Sequence, residues 1–158
     1  MLELQSVSAG YGEADIIHNI SFEVKNNQNL CILGPNGCGK TTLLKAIAGL
    51  LPYRGTIHLD GQPLHDQKPQ QRAKRIAMMS QTSNIYFSYS VFETVMMGRY
   101  VHISDRFLGI PSKKDIQAVE QCLKAVDMLE ERDRPITKLS GGQLQRIYLA
   151  RALAQEPE

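Results

Sequence analysis

The sequence predicts an α/β fold in which strands surround a mainly helical insert. Three observations predict it. Residues 30–33, Leu-Cys-Ile-Leu, form a short continuous apolar run that is typical of a fully buried strand. This run leads into a glycine-rich loop, which is followed by apolar residues at helical spacing. From Ser83 to about Lys138, the pattern is that of amphipathic helices rather than strands.

The first half of the chain predicts strands that are separated by turns and by two helices. Alternating or continuous apolar runs predict strands at residues 2–7, 19–24, 30–33, 55–64 and 76–81. A turn is predicted at residues 9–13, and an Asp-Gly turn lies within the fourth of these strands. The helix that follows the glycine-rich loop is closed by Gly49 and Pro52, and residues 70–75 predict a short polar helix.

The second half predicts three helices. The first covers residues 91–99, with Gly98 near its end, and the last covers about residues 142–155. Between them, residues 112–128 start at a cap that either Ser112 or Asp115 provides. The apolar positions of this middle helix share one face, and they are Ile116, Val119, Leu123 and Val126.

Composition excludes several classes of protein. The 158 residues carry a formal net charge of +2 and no long basic run, which gives no reason to expect nucleic-acid binding. No apolar run approaches the roughly 20 residues that span a bilayer, and the first residues lack the basic start of a secretory signal. Cys31, Cys38 and Cys122 are widely spaced, which favours reduced thiols over a metal site.

Residues 34–41, Gly-Pro-Asn-Gly-Cys-Gly-Lys-Thr, match the phosphate-loop pattern G-x-x-x-x-G-K-[ST]. A polyphosphate has many acceptor oxygens and no donors, so backbone N–H groups have to converge on it without side chains in the way. The glycines at 34, 37 and 39 permit that approach. The pattern arises by chance in roughly one chain of this length in two hundred, and the strand before it and the helix after it make chance a poorer explanation.

Two side chains complete this loop. Lys40 adds a full positive charge beside the β and γ phosphates, and Thr41 can place its hydroxyl on Mg²⁺. The helix that starts at Lys40 directs its free N–H groups and its positive dipole end at the anion. The sequence therefore predicts binding of a nucleoside triphosphate, although the loop does not distinguish ATP from GTP.

A second glycine motif lies at residues 139–146, Leu-Ser-Gly-Gly-Gln-Leu-Gln-Arg, at the start of the last helix. A helix cap needs only Ser140, and two adjacent glycines there cost helix stability. Because a pair of glycines lets another group come close to the backbone, and the helix start offers donors, we interpret this motif as a second anion contact.

The two motifs in this order resemble the nucleotide-binding domain of ABC (ATP-binding cassette) ATPases over essentially the whole chain. The resemblance implies ATP and Mg²⁺ as cofactors, Tyr11 as an aromatic that stacks on adenine, and Gln81 as a contact to Mg²⁺ and the attacking water. It implies Lys40 and Gln81 as catalytic residues, with Thr41 and Gln81 at the metal. The Walker A residues would be Gly34, Pro35, Asn36, Gly37, Cys38, Gly39, Lys40, Thr41 and Thr42. The signature contacts would be Ser140, Gly141, Gly142 and Gln143.

The resemblance also implies an architecture. It is a P-loop NTPase fold of ABC type, a RecA-like core with an N-terminal antiparallel β subdomain and an inserted α-helical subdomain. Residues 1–82 would hold the β subdomain and the phosphate-loop core, residues 83–138 the helical subdomain, and residues 139–158 the signature and its helix. The C-terminal part of the core is expected to be absent from these residues.

In that family the signature completes the site of a second copy, so a head-to-tail homodimer with ATP between its subunits is expected. Transmembrane permease subunits and, indirectly, a solute-binding protein are the other expected partners, with no nucleic acid. Residues 90–100 and His102 resemble ATPases of importers for siderophores, haem and cobalamin. The expected location is the cytoplasmic face of the cell membrane. We interpret Arg99 and Arg106 as surface arginines that face either a permease or water.

The family's Walker B Asp, catalytic Glu and later His do not occur within the 158 residues. No carboxylate replaces them at suitable spacing, because Glu120, Glu130 and Glu131 fall in the helical segment. These residues are therefore expected to bind nucleotide weakly without hydrolysing it. Two alternatives stay open, a soluble ABC-type ATPase of translation or repair and a non-hydrolytic nucleotide-binding module. A kinase or GTPase that uses the same loop is disfavoured by Leu-Ser-Gly-Gly-Gln.

Overall fold

A computed structural model describes residues 1–79, 88–103 and 110–157 of the chain. These residues form two compact units, Met1–Arg72 and Ala73–Glu158. Gln81, Arg106 and the boundary expected at residue 82 lie outside the described residues. Within the described residues, no helix is both long and apolar enough to cross a membrane.

The first unit contains an antiparallel sheet. Its strands are β1 at Leu2–Tyr11, β2 at Ala14–Val24, β3 at Tyr53–Leu59 and β4 at Gln62–Pro63, in the order β2-β1-β3-β4. The turn between β3 and β4 includes Asp60 and Gly61, as predicted. The predicted N-terminal antiparallel subdomain is therefore confirmed. Leu4, Val7 and Ile57 of the sheet are buried, as is Leu64, the residue after β4.

β1 and β2 are longer than predicted. Their pairing continues to Tyr11 and Ala14, so the turn expected at residues 9–13 is limited to Gly12 and Glu13. Register shifts after Leu4 and around Val7 carry the pairing across residues whose apolar alternation is broken. Bulges of this kind absorb an extra residue and let a strand continue, which is why alternation alone predicted too short a strand.

Two helices occur before residue 74. Helix α1 covers Lys40–Ile47, directly after the glycine-rich loop, and α2 covers Pro69–Ala73. Thr42, Leu43 and Ala46 form the buried face of α1. Both helices correspond to predicted ones.

One predicted strand does not form, and a second does not form in the part that the structure describes. Residues 30–33 have no regular structure, and Leu33 is 86% exposed. Residues 76–79 are also irregular, with Met79 exposed, and the remaining two positions of that predicted strand lie outside the described residues. A strand exists only through hydrogen bonds to a neighbouring strand, and no described segment pairs with either run. An apolar pattern indicates burial but does not supply the partner.

The second unit is helical. It contains α3 at Val91–Met96, α4 at Lys113–Ala125 and α5 at Gly141–Ala154. Single 3₁₀ turns follow at Met97–Val101, Leu129–Glu131 and Ile136–Lys138. The three predicted helices are confirmed, with α3 and α4 inside the range of the predicted helical subdomain and α5 after it. The first ends earlier than predicted, because its last turn tightens into the 3₁₀ geometry common at helix ends.

One apolar cluster holds the three helices of this unit together. It consists of Val91, Val95, Val119, Leu123, Val126, Met128, Ile136, Ile147, Ala150 and Ala154. The predicted face of α4 is buried except at Ile116, which is 37% exposed. Its neighbour Asp115 is buried instead. This exchange places a carboxylate inside the unit, where an ionised group requires a charged or hydrogen-bonding partner.

Candidate functional site

The phosphate loop is an open loop that ends in a constrained glycine. Residues 34–38 are exposed, whereas Gly39 is buried and forms the N-cap of α1. Gly37 and Gly39 have left-handed φ values of 85° and 95°. A Cβ at Gly39 would lie 2.5 Å from Cγ2 of Ile17. Glycine is therefore required there both by the backbone angle and by the space, as the sequence pattern predicts.

The Lys40 ammonium folds back over this loop. Its Nζ donates to the carbonyl oxygens of Gly34 at 2.8 Å and Pro35 at 2.7 Å. It also lies 3.8 Å from Sγ of Cys38. The cation is thus held above an exposed loop by acceptors that phosphate oxygens can replace, since phosphate is the stronger acceptor for an ammonium group.

The donor set of the loop fits a polyphosphate with a hard cation. Within the described residues, one backbone N–H of the loop at residues 34–39 donates to a backbone carbonyl. It is the N–H of Cys38, which donates to the carbonyl of Pro35 at 3.4 Å. The remaining N–H groups and the start of α1 are available to an anion. Thr41 is exposed and offers its hydroxyl oxygen, the ligand type that Mg²⁺ prefers. Thr42 is only 4% exposed, so its side chain packs inside the unit.

Tyr11, the last residue of β1, presents an aromatic surface in the same unit. Its side chain is 50% exposed. Its hydroxyl accepts a hydrogen bond from Nζ of Lys45, on α1, at 3.1 Å. A half-exposed ring of this kind can stack on a base. Gln81, the other residue that the resemblance placed at the nucleotide, lies outside the described residues.

The second glycine motif forms the start of α5. Ser140 is the N-cap, and its Oγ accepts a hydrogen bond from the backbone N–H of Gln143 at 3.3 Å. The Gln143 side chain accepts in return from the backbone N–H of Ser140 at 3.0 Å. This reciprocal pair is a capping box. Ser140 and Gln143 therefore have a structural role within this chain.

The two glycines between them have no such role. Neither Gly141 nor Gly142 has a positive φ, and a Cβ at either position meets no atom within 4 Å among the described residues. Both are exposed. Glycine in a helix costs up to about 1 kcal/mol relative to alanine. Since neither the local backbone nor a described neighbour requires glycine here, the glycine pair itself distinguishes this helix start from an ordinary cap.

Sequence reasoning missed a buried ion pair in the second unit. Arg99 is 6% exposed, and its Nε lies 3.1 Å from Oδ1 of Asp115. Its Nη1 donates to the carbonyl of Ala154 at 2.9 Å and pairs with Glu156 at 2.8 Å. The interpretation of Arg99 as a surface arginine is therefore wrong. The signal that could have found it is an acidic residue beside the core face of α4.

This arginine fixes the far end of the signature helix. It caps the last carbonyl of α5, that of Ala154, and joins it to the first turn of α4, where Asp115 also accepts from Ser112 in a capping box. Burial opposes the ionised carboxylate, but hydrogen bonds from Ser112 and Arg99 outweigh it, so the pKa of Asp115 lies below its usual range. His102 adds a contact between its Nε2 and the carbonyl oxygen of Gln155 at 2.9 Å.

Comparison with known proteins gives curated relatives across the whole chain. The hemin import ATP-binding protein HmuV of Pseudomonas putida is 39% identical over 156 residues, which is 98% of this chain and 59% of that protein. The manganese transport system ATP-binding protein MntB of Halalkalibacterium halodurans is 42% identical over 161 residues, covering 100% of this chain and 61% of that protein. The chain thus spans about three fifths of the length of these relatives.

Solved structures are similar over the same range. A transporter described as of the metal-chelate type, in an inward-facing conformation, superposes with a TM-score of 0.79 at 31% identity. It matches 98% of this chain and 56% of that one. The ATP-binding cassette MJ0796, a dimer bound to ADP and phosphate, superposes with a TM-score of 0.82 at 26% identity over 99% of this chain and 71% of that one.

The family model of ABC transporters matches residues 17–158, which include both glycine motifs and all five helices. The predicted ABC-type P-loop NTPase fold is confirmed by this match and by the structural neighbours. The chain belongs to the ABC transporter family, whose model it matches over residues 17–158.

Proposed function

We propose that this chain is the ATP-binding part of an importer subunit that couples ATP binding and hydrolysis to uptake of a small metal chelate through a membrane permease. The observation that carries the proposal is a pair of exposed surfaces that offer hydrogen-bond donors. One is the loop beneath the Lys40 ammonium, and the other is the start of α5 at Gly141 and Gly142. Each offers donors on an open surface, and each alone holds only part of a triphosphate.

The nucleotide in this proposal is ATP with Mg²⁺. Tyr11 stacks on the adenine, and the loop and Lys40 hold the phosphates. Thr41 and Gln81 would hold the metal, which would supply positive charge against the phosphates. The support on this chain's side is the exposed ring of Tyr11, the exposed hydroxyl of Thr41 and the ammonium of Lys40 above the loop.

The second contact serves a neighbouring copy in this proposal. The helix start at Ser140 carries a partial positive charge and two glycines with open space above them. A phosphate approaching that space meets backbone N–H groups without displacing any described side chain. Two copies arranged head to tail then enclose ATP between the loop of one and the signature of the other, and each half-site is weak until ATP joins them.

The solute class rests on the relatives. Two relatives that are about 40% identical to this chain are named for the import of hemin and the transport of manganese, which are a metal chelate and a metal ion. Residues 90–100, which we interpret as the segment that resembles chelate importers, form the Ser90 cap, α3 and part of the 3₁₀ helix. The proposed location is the cytoplasmic face of the membrane, against permease subunits. A solute-binding protein delivers the solute to these subunits.

ATP turnover tests the proposal. We expect the 158-residue chain to bind ATP weakly with no turnover above that of a Lys40→Ala variant. A chain extended to the length of the relatives is expected to hydrolyse ATP, and Lys40→Ala in that longer chain is expected to abolish hydrolysis. The measurement is phosphate release from the short chain and the extended chain, each with and without Lys40→Ala, under the same conditions. Turnover by the short chain that Lys40→Ala removes would contradict the proposed lack of activity, whereas inactivity of the extended chain would contradict the ATPase itself.

A further inference from the structure

The side chains of Tyr11 and Lys45 form a contact inside the first unit that the proposed function does not use. Nζ of Lys45 lies 3.1 Å from the Tyr11 hydroxyl and 5.3 Å from the centre of its ring. Lys45 is a half-buried residue in the last turn of α1, and Tyr11 is the final residue of β1. The contact therefore ties the end of a strand to the helix that begins at the phosphate loop.

The position of the Lys45 ammonium relative to the Tyr11 ring decides whether a base can still stack on that ring. Because Nζ is close to the hydroxyl and distant from the ring centre, it lies beyond the hydroxyl edge and not above a face of the ring. An ammonium over the face would occupy the surface on which a base stacks. At the edge, Lys45 restrains the direction of the phenol group and leaves both ring faces clear of its own charge.

Helix α1 connects this restraint to the phosphates. It has eight residues, begins with Lys40 and carries Lys45 five positions later, a rise of about 7 Å along its axis. Any shift of α1 relative to β1 would move the ammonium of Lys45 away from the Tyr11 hydroxyl. The helix that binds the triphosphate through its first turn therefore holds the aromatic side chain through its last turn.

We propose that Lys45 is a positioning residue for nucleotide recognition, which orients the Tyr11 ring for stacking on the base of a bound nucleotide. This inference rests on the proposed function, since it presupposes that a nucleotide occupies the loop. A restrained ring loses less conformational freedom when the base binds, so the restraint contributes to affinity for the base and not for the phosphates.

Binding of two Mg²⁺-loaded ligands separates these contributions. Isothermal titration of the chain with ATP and with inorganic tripolyphosphate compares a ligand that has a base with one that does not. We expect Lys45→Met to weaken ATP binding by about 2- to 10-fold, the range for loss of one hydrogen bond. Tripolyphosphate affinity is expected to change by less than about twofold. Lys45→Arg, which keeps a donor, is expected to restore most of the ATP affinity.

Tyr11→Phe provides the second half of a double-mutant cycle. It keeps the aromatic ring and removes the acceptor, so it should reproduce the Lys45→Met loss, and the double variant should be no weaker than either single one. Lys124→Met is the matched control, because Lys124 is an exposed lysine in the last turn of α4. It should leave both affinities unchanged. Thermal melting of each variant checks that it is folded.

The outcomes are distinguishable. Equal losses for ATP and tripolyphosphate would show that Lys45 acts only as a nearby positive charge, and unchanged ATP binding would show that it does not position the ring; either result overturns the inference alone. Absence of ATP binding to the unmodified chain, or binding that Lys40→Ala leaves intact, would overturn the proposed function together with this inference.

Discussion

Replacing Lys40 by alanine is expected to lower the affinity of the chain for ATP by about 10- to 150-fold. The variant removes one charge-assisted contact to phosphate, and such contacts are each about 1.5–3 kcal/mol. The Lys40 ammonium donates to the carbonyls of Gly34 and Pro35 above an exposed loop, so removing it leaves no buried group without a partner. The melting temperature should consequently stay close to that of the unmodified chain.

Equilibrium dialysis with labelled ATP and Mg²⁺ measures this effect. Lys68→Ala is the control, because Lys68 is an exposed lysine in the same unit that precedes α2. That variant should bind ATP as the unmodified chain does. If Lys40→Ala and Lys68→Ala bound ATP equally well, the loop at residues 34–41 would not be the phosphate site.

Replacing Arg99 by methionine is expected to destabilise the second unit by about 3–5 kcal/mol. The variant leaves the buried carboxylate of Asp115 without its charged partner and the last carbonyl of α5, at Ala154, without a donor. Removing one member of a buried ion pair is costly for this reason. Chemical denaturation followed by circular dichroism measures the free energy of unfolding.

Two further variants show whether burial is the cause. In Arg99→Met/Asp115→Leu, no charge of the pair is left unmatched, so much of the lost stability should return. Arg134→Met removes an exposed arginine that pairs with Glu131 at 3.2 Å, and it should cost less than about 1 kcal/mol. Equal destabilisation by Arg99→Met and Arg134→Met would contradict the assignment of a buried pair.

The same carboxylate predicts a pH dependence of stability. The pKa of Asp115 is lower in the folded chain than in the unfolded chain, so the unfolded state takes up its proton first as the pH falls. Ionised Asp115 therefore stabilises the fold above the unfolded carboxyl pKa of about 3.9, and this stabilisation decreases below it. Asp115→Asn should flatten the acid limb of a stability–pH profile. An acid limb that Asp115→Asn leaves unchanged would show that other carboxylates cause the loss of stability at low pH.

Residue patterns predicted the fold best where they specify local structure. Of the two predicted caps of α4, Ser112 is the N-cap, and α5 begins at Gly141, within one residue of the predicted start. The glycine pattern at residues 34–41 predicts the loop before α1. Each of these signals is complete within a few neighbouring residues. The two glycine motifs were also sufficient to identify the ABC transporter family, which the family match confirms.

The errors occur where structure depends on distant partners. Residues 30–33 are apolar enough for a buried strand, but a strand needs a neighbour to pair with. Arg99 and Asp115 are sixteen positions apart, so the place of Asp115 beside the core face of α4 could indicate its burial but not its partner. The Tyr11–Lys45 contact joins a strand to a helix, and no sequence pattern predicts it. The roles of the candidate site residues themselves stay predictions until nucleotide binding is measured.

The phosphate loop of one copy and the signature of another are expected to meet at the same triphosphate. A thiol cross-link tests it in a chain extended to the length of the relatives. Cys38 supplies one thiol and Ser140→Cys the other, with Cys31→Ser and Cys122→Ala removing the remaining two. A short bifunctional reagent should give a covalent dimer only with ATP, and Lys40→Ala should abolish it. Cross-linking confined within single chains, or a dimer whose yield does not depend on ATP, would contradict the claim.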